Sequence, residues 1–244
     1  MNYFIPNIPF FSPEGRIYTV EYALEEVAKA SPIVAILAKD GIVIAAELEG
    51  TEPLSTRRGE VDHFFRVDPD NSCAITGKMT DAYKLVSAMI SYSHRHRKNY
   101  GELIPTERLV ELICNKKQSY TMYIGKRPFA ISVIYIGWDM ENGWQLFQSD
   151  PSGNYSGWKT VCIGRNAKEA QDYLNKNLIG KPLPSIDTAL EMSMKALKVA
   201  MGNTKMNGTN VQMVKIQRKN NITDYKIWGE SQIPVLWDKY CANT

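Results

Sequence analysis

The hydrophobic positions along the chain fall into two rhythms that alternate. Val20, Ala23, Leu24, Val27 and Ala28 recur at i, i+3, i+4, i+7 and i+8, which predicts a helix over 20–30 with Thr19 as its cap and a face of Ala23, Leu24, Val27 and Ala28 suited to close packing. Two short runs follow, Ile33–Ala38 and 42–46, apolar at every position and separated by Lys39-Asp40-Gly41. Asp-Gly supplies the positive φ of a tight turn, so this is a hairpin. Unbroken apolar runs rather than alternating ones mean strands covered on both faces.

Shorter strands are expected near 64–67 and 72–76, then a helix from about Asp81 with Ala82, Leu85, Val86, Met89 and Ile90 on one side. It ends in His94-Arg95-His96-Arg97-Lys98, positive charge that suits a helix C-terminus. Pro105 sits in the first turn of the next helix, which carries Leu109, Leu112, Ile113 and Tyr120. Strands return at 129–138, 144–148 and around 158–163, with Asn142-Gly143 and Asp150-Pro151-Ser152-Gly153 as turns. A helix capped by Asn166 with Glu169 in a capping box and another over 185–201 ending at Gly202 come next. Strands 211–217 and 222–228 and a short helix at 231–240 complete the series. Doubly covered antiparallel strands with helices in pairs predict an α+β fold: a four-layer αββα sandwich, two antiparallel sheets flanked by helices, in a single domain over 1–244. Residues 1–11 form a tail ahead of it.

Composition narrows the function. The 244 residues are 44% hydrophobic and 23% charged with a net charge of +3, an ordinary globular balance. The basic pairs Arg57–Arg58, Lys116–Lys117, Lys126–Arg127 and Arg218–Lys219 are scattered, so neither nucleic acid nor a membrane is an expected partner. Cys73, Cys114, Cys162 and Cys241 form no CxxC and lie in or beside apolar stretches, as small core residues do. His94 and His96 project about 200° apart on their helix and do not suit a shared ion. No metal and no cofactor is expected, and the thiols point to a reducing, intracellular compartment.

Several stretches carry a family resemblance. Ser12-Pro13-Glu14-Gly15-Arg16-Ile17-Tyr18-Thr19-Val20-Glu21-Tyr22-Ala23 resembles the signature that opens proteasome alpha subunits. Lys39-Asp40-Gly41-Ile42-Val43, Gly125-Lys126-Arg127-Pro128-Phe129 and Tyr135-Ile136-Gly137-Trp138-Asp139 match in order. Ser149-Asp150-Pro151-Ser152-Gly153-Asn154-Tyr155 with Gly157-Trp158-Lys159 is similar to the alpha type-4 kind. The resemblance spans about 11–240. It implies the αββα sandwich of N-terminal nucleophile hydrolases and a seat in a seven-membered alpha ring stacked on beta subunits. The implied partners are other alpha subunits, beta subunits and a regulatory particle or other activator, in cytoplasm and nucleus.

The same resemblance bears on catalysis. Catalytic relatives use an N-terminal threonine whose own amine is the base. The matching position here is Ser31, internal, between Ala30 and Pro32; the supporting aspartate and lysine positions hold Glu47 and His63. All three are changed, so no catalytic residue is expected. A self-processing threonine-type hydrolase and a binding module outside the proteasome are the alternatives. A family lysine near His63 lines the pocket where activator tails dock; a histidine offers only partial charge near neutral pH, so docking at His63 is expected to be weak or absent.

The tail Phe4-Ile5-Pro6-Asn7-Ile8-Pro9-Phe10-Phe11 holds five large apolar side chains, each worth roughly 1.5–3 kcal/mol on full burial. The resemblance implies a gate tail over a pore, with Phe4, Ile5, Phe10 and Phe11 as its apolar contacts. Phe4 and Ile5 stand where alpha tails often hold Tyr-Asp, so gating here is expected to rest on apolar packing. Ser12, Glu14, Gly15, Arg16, Glu21 and Tyr22 are the expected contacts between subunits.

Overall fold

A computed structural model describes residues 11–48, 63–204, 206, 210–229 and 231–240. Along the chain run α1 (Tyr18–Lys29), β1 (Ile33–Ala38), β2 (Gly41–Glu47), β3 (Phe64–Arg66), β4 (Asn71–Gly77), α2 (Met79–Tyr100), α3 (Thr106–Met122), β5 (Ile131–Asp139), β6 (Gly143–Ser149), β7 (Tyr155–Gly157), β8 (Thr160–Ile163), α4 (Ala167–Leu178), α5 (Ile186–Met201), β9 (Val211–Lys219), β10 (Ile222–Trp228) and α6 (Ile233–Tyr240). Every strand pair is antiparallel. Sheet A has the order β10-β9-β2-β1-β8 and sheet B the order β3-β4-β5-β6-β7.

Three apolar layers make four layers of secondary structure. Ile33, Ala35, Ile42 and Ile44 of sheet A meet Ala74, Ile134 and Ile136 of sheet B between the sheets. Their neighbours Val34, Ile36 and Val43 point the other way, into Ala189, Met194 and Leu197 of α5. Cys73, Ile75, Val133 and Tyr135 likewise leave sheet B for Leu85, Met89, Val110 and Ile113 of α2 and α3. Successive strand residues face opposite sides, so an uninterrupted apolar strand is what a doubly covered sheet requires. The αββα reading of the sequence is the architecture observed.

Local chemistry departs from expectation at four places. Thr19 caps nothing: α1 begins at Tyr18, and its Ile17 N-cap has no side-chain cap bond. The start is set instead by the turn before it, where Ser12 Oγ accepts from Arg16 N at 3.1 Å and Gly15 N donates to Ser12 O. Leu24 (40% exposed) and Ala28 are exposed, leaving Ala23 and Val27 as the buried face of α1. Asn166 does precede α4, but with a φ of 51° and without a capping bond; its Nδ2 donates to Ala200 O at 2.8 Å and ties α4 to the end of α5. The single strand expected around 158–163 is the end of a crossing between sheets. Trp158 N still bonds Leu146 O of β6, while Lys159 O already accepts from Leu37 N of β1. At the start of α5, where the sequence reading assigned no cap, Ser185 Oγ accepts from Thr188 N.

One ion pair fixes the start of α2. Asp81, its side chain 2% exposed, receives both arms of Arg127 at 2.6 and 2.8 Å and the N–H of Ala130. Burial alone would raise the Asp81 carboxyl; the Arg127 fork and the Ala130 N–H outweigh it and hold it below its ordinary value. A lowered carboxyl stabilises the fold above its unfolded-state value, and that contribution is lost as pH falls through the folded-state value. Asp81→Asn is expected to cost about 2 kcal/mol at pH 7 in urea unfolding, and the gap to wild type should narrow as pH falls through the folded-state value.

Candidate subunit interface and a degenerate nucleophile position

Residues 12–16 form a tight turn whose polar groups are largely self-satisfied. Arg16 grips Glu21 through two bonds, 2.7 Å from Nε and 2.5 Å from Nη2, and its guanidinium also lies 5.3 Å from the Tyr18 ring centroid. The Glu21 carboxyl is lowered by the Arg16 hydrogen bonds. Tyr18 Oη reaches Glu14 at 3.4 Å, and Tyr18 stacks on Tyr22 with centroids 6.4 Å apart. The expected contact residues Ser12, Glu14, Gly15, Arg16, Glu21 and Tyr22 are thus brought together on one rigid turn and helix start, which leaves Glu14, Gly15, Arg16 and Tyr22 exposed. Phe11 is 70% exposed beside them. Phe4, Ile5 and Phe10 lie outside the described residues.

Helix α1 rests on the ends of β4 and β5 through Ala23 and Val27 and presents two flanks. On one, Thr19, Tyr22 and Glu26 form with Lys78, Arg127 and Pro128 a groove of about 390 Å³. On the other, Leu24 and Ala28 lie one turn apart in the open. Sequence reasoning placed these two residues inward because the apolar stripe is broader than the contact it makes. The signal that separates them is angular: at 100° per residue both sit on the Glu21 side of the Ala23–Val27 line.

The nucleophile position lies at the same end of the sandwich. Ser31 is 5% exposed, and its backbone is held on three successive residues. Ala30 O accepts from Arg165 N at 2.8 Å, Ser31 O from Thr76 Oγ1 at 2.6 Å and Pro32 O from Glu47 N at 3.0 Å. Glu47, where a supporting aspartate would stand, is ion-paired to Arg165 at 2.7 Å. His63 is 5% exposed, with Nδ1 2.9 Å from Ile75 O and its own carbonyl accepting from Ile75 N. Among the described residues no hydrogen bond joins Ser31 to Glu47 or His63. The chemistry of an N-terminal nucleophile needs a free amine on the nucleophilic residue; at Ser31 that nitrogen is the amide of a peptide bond whose preceding carbonyl is itself bonded. Arg165 and Thr76, which replace catalytic geometry with structural bonds, are 118 and 45 residues from their partners. No spacing rule could have paired them.

Cys73 and Cys114 are buried and Cys162 half-buried, as expected of core thiols, and burial raises all three. Cys241 lies outside the described residues. Among the described residues no group of three His, Cys, Asp or Glu is placed to hold a metal ion, and no helix is long and apolar enough to cross a membrane.

The family model for proteasome subunits matches residues 27–216. The chain is 40% identical to proteasome subunit alpha type-4 of Drosophila melanogaster over 94% of this chain and 88% of that protein. It is also 37% identical to the alpha type-4-like subunit of the same organism, over 97% and 95%. With the alpha type-4 subunit of Dictyostelium discoideum it shares 40% identity over 91% and 89%. A Ser31 locked in the chain where a catalytic relative needs a free amine fits the non-catalytic, structural branch of this family. The chain belongs to the proteasome subunit family, as an alpha subunit most similar to the type-4 kind.

Proposed function

We propose that this non-catalytic subunit occupies the alpha ring through its 12–16 turn and both flanks of α1, which meet sibling alpha subunits, while other surfaces stack on beta subunits. In that position its tail supports the gate by apolar packing, and the particle serves protein degradation in cytoplasm and nucleus. The observation that carries the reading is the contrast at one end of the sandwich. A buried, three-fold clamped Ser31 offers no chemistry, and beside it α1 offers exposed Tyr22, Leu24 and Ala28 on a rigid support. Exposed apolar groups on a rigid element mark contact surfaces. The burial of His63 against Ile75 O supports weak engagement of activator tails there, since a ring held in this way presents little surface to an incoming carboxylate.

Native purification of the tagged chain, with mass identification of its neighbours, tests the ring assignment. It is expected to migrate with other alpha and beta subunits, in a particle far larger than its own 27.6 kDa. Ser31→Thr should leave peptide hydrolysis by that particle unchanged. A chain that runs alone and cleaves amides would overturn the reading.

A further inference from the structure

Lys117 reads in the sequence as half of a surface basic pair, yet it is completely buried on the inner face of α3. Its Nζ donates to Ser149 Oγ at 2.9 Å and to Ile131 O at 3.3 Å. Ser149 Oγ lies 3.0 Å from Tyr135 Oη, which lies 4.0 Å from Cys114 Sγ, and Ser132 Oγ donates to Ser149 O. The titratable groups around the amine are Cys114 on α3, Tyr135 on β5 and Asp150 just beyond β6, with Cys73 on β4 acting on Tyr135. Asp150 is engaged elsewhere: its Oδ1 accepts from Ser152 N at 2.8 Å and Ser152 Oγ at 2.5 Å. The turn that follows packs on the same helix, for a Cβ at Gly153 would lie 2.8 Å from Gln118 N.

Proton positions in this cluster depend on one another. A charged amine donates to Ser149 Oγ, so the serine hydrogen turns to Tyr135 and the tyrosine hydrogen to Cys114. A neutral amine can accept, and the serine hydrogen then turns to Lys117 while Tyr135 donates to Ser149. We infer that Lys117, Ser149, Tyr135 and Cys114 form a proton-sensitive latch that fastens helix α3 and the 150–154 turn to sheet B, tighter when the amine is neutral. The stretch from Ser149 to Tyr155, which distinguishes the type-4 kind in the sequence, thereby has a task inside the subunit.

Burial without a carboxylate partner lowers the Lys117 amine to about 8. The unfolded chain therefore binds more protons than the folded one between about pH 8 and the ordinary lysine range, and stability from this group rises with pH across that window. Denaturant unfolding of the full chain at pH 7, 8 and 9 is the test, with Lys117→Met as reference. The wild-type unfolding constant is expected to fall about fivefold more than that of the variant between pH 8 and 9. Equal pH dependence in the two chains would overturn the latch. Titration of the wild-type chain carrying ¹³Cε-labelled lysine decides the matter even where the variant does not fold. One lysine signal should titrate near pH 8, and a Lys117 that keeps its proton past pH 10 refutes the inference.

Discussion

Replacing Gly164 with valine should destabilise the chain by about 3–5 kcal/mol, the sum of left-handed backbone strain and overpacking. Gly164 has a φ of 93°, and a Cβ there would collide with Ser31 O and approach Pro32 Cα at 2.9 Å. Those backbone atoms cannot move away, because Thr76 Oγ1 and Glu47 N hold the two carbonyls that flank the contact. The midpoint of thermal unfolding should fall by about 10 °C, given two to four degrees per kcal/mol at this chain length. Gly180 is the control. Its φ is 75°, but nothing lies within 4 Å of an added Cβ, so Gly180→Val should cost only the backbone strain, about 1–2 kcal/mol. Equal losses at the two positions would mean that the clamp around Ser31 is slack.

The layers of this fold were legible because periodicity is a burial signal. Ile33–Ala38 reads as covered on both faces, and the chain indeed sends Ile33 and Ala35 to one apolar layer and Val34 and Ile36 to the next. The hairpin at 39–41 was legible in place but not in mechanism: neither Asp40 nor Gly41 has a positive φ, and glycine is needed at 41 because a Cβ there would collide with Ile216 O of β9. What stayed hidden depends on contacts between distant residues. The split between β7 and β8 is decided by whether Trp158 and Lys159 bond to Leu146 or Leu37, and both alternatives have the same local pattern. Thr19 lost its capping role because the Ser12–Arg16 turn already sets the helix start.

Lys117 marks the limit most clearly. It stands four residues after Ile113 and eight after Leu109, on the buried stripe of α3, so a positional signal existed; side-chain type argued the other way. Position won because Ser149 and Ile131 O supply acceptors where a methionine would have needed none. For the candidate site, the sequence placed the expected contact residues on one turn and helix start, which is where they lie, and read Ser31 as internal to the chain. It could not tell which side of α1 faces out, since a stripe five residues wide lies over a contact only two residues wide.

Leu24→Arg with Ala28→Arg should abolish incorporation into an alpha ring while leaving the fold intact. Both side chains are exposed in the isolated subunit, so neither substitution buries charge or opens a cavity, and the folding free energy should change by no more than about 0.5 kcal/mol. If a sibling covers this flank as proposed, two guanidinium groups set into it would instead have to be desolvated on assembly. Loss of central anchors typically weakens an interface by about 2–4 kcal/mol, a factor of roughly 30 to 1,000 in affinity. Co-expression with sibling subunits followed by native mass spectrometry reads this directly: the variant should be found as free chain with an unaltered melting temperature. The opposite flank gives the internal comparison, because Glu26→Lys faces Lys78 and Arg127 across the groove and adds like charge within the subunit itself. A double-arginine variant that enters rings as efficiently as wild type would show that α1 meets no neighbour through Leu24 and Ala28. The surface that tiles would then have to be sought on the groove side of the helix.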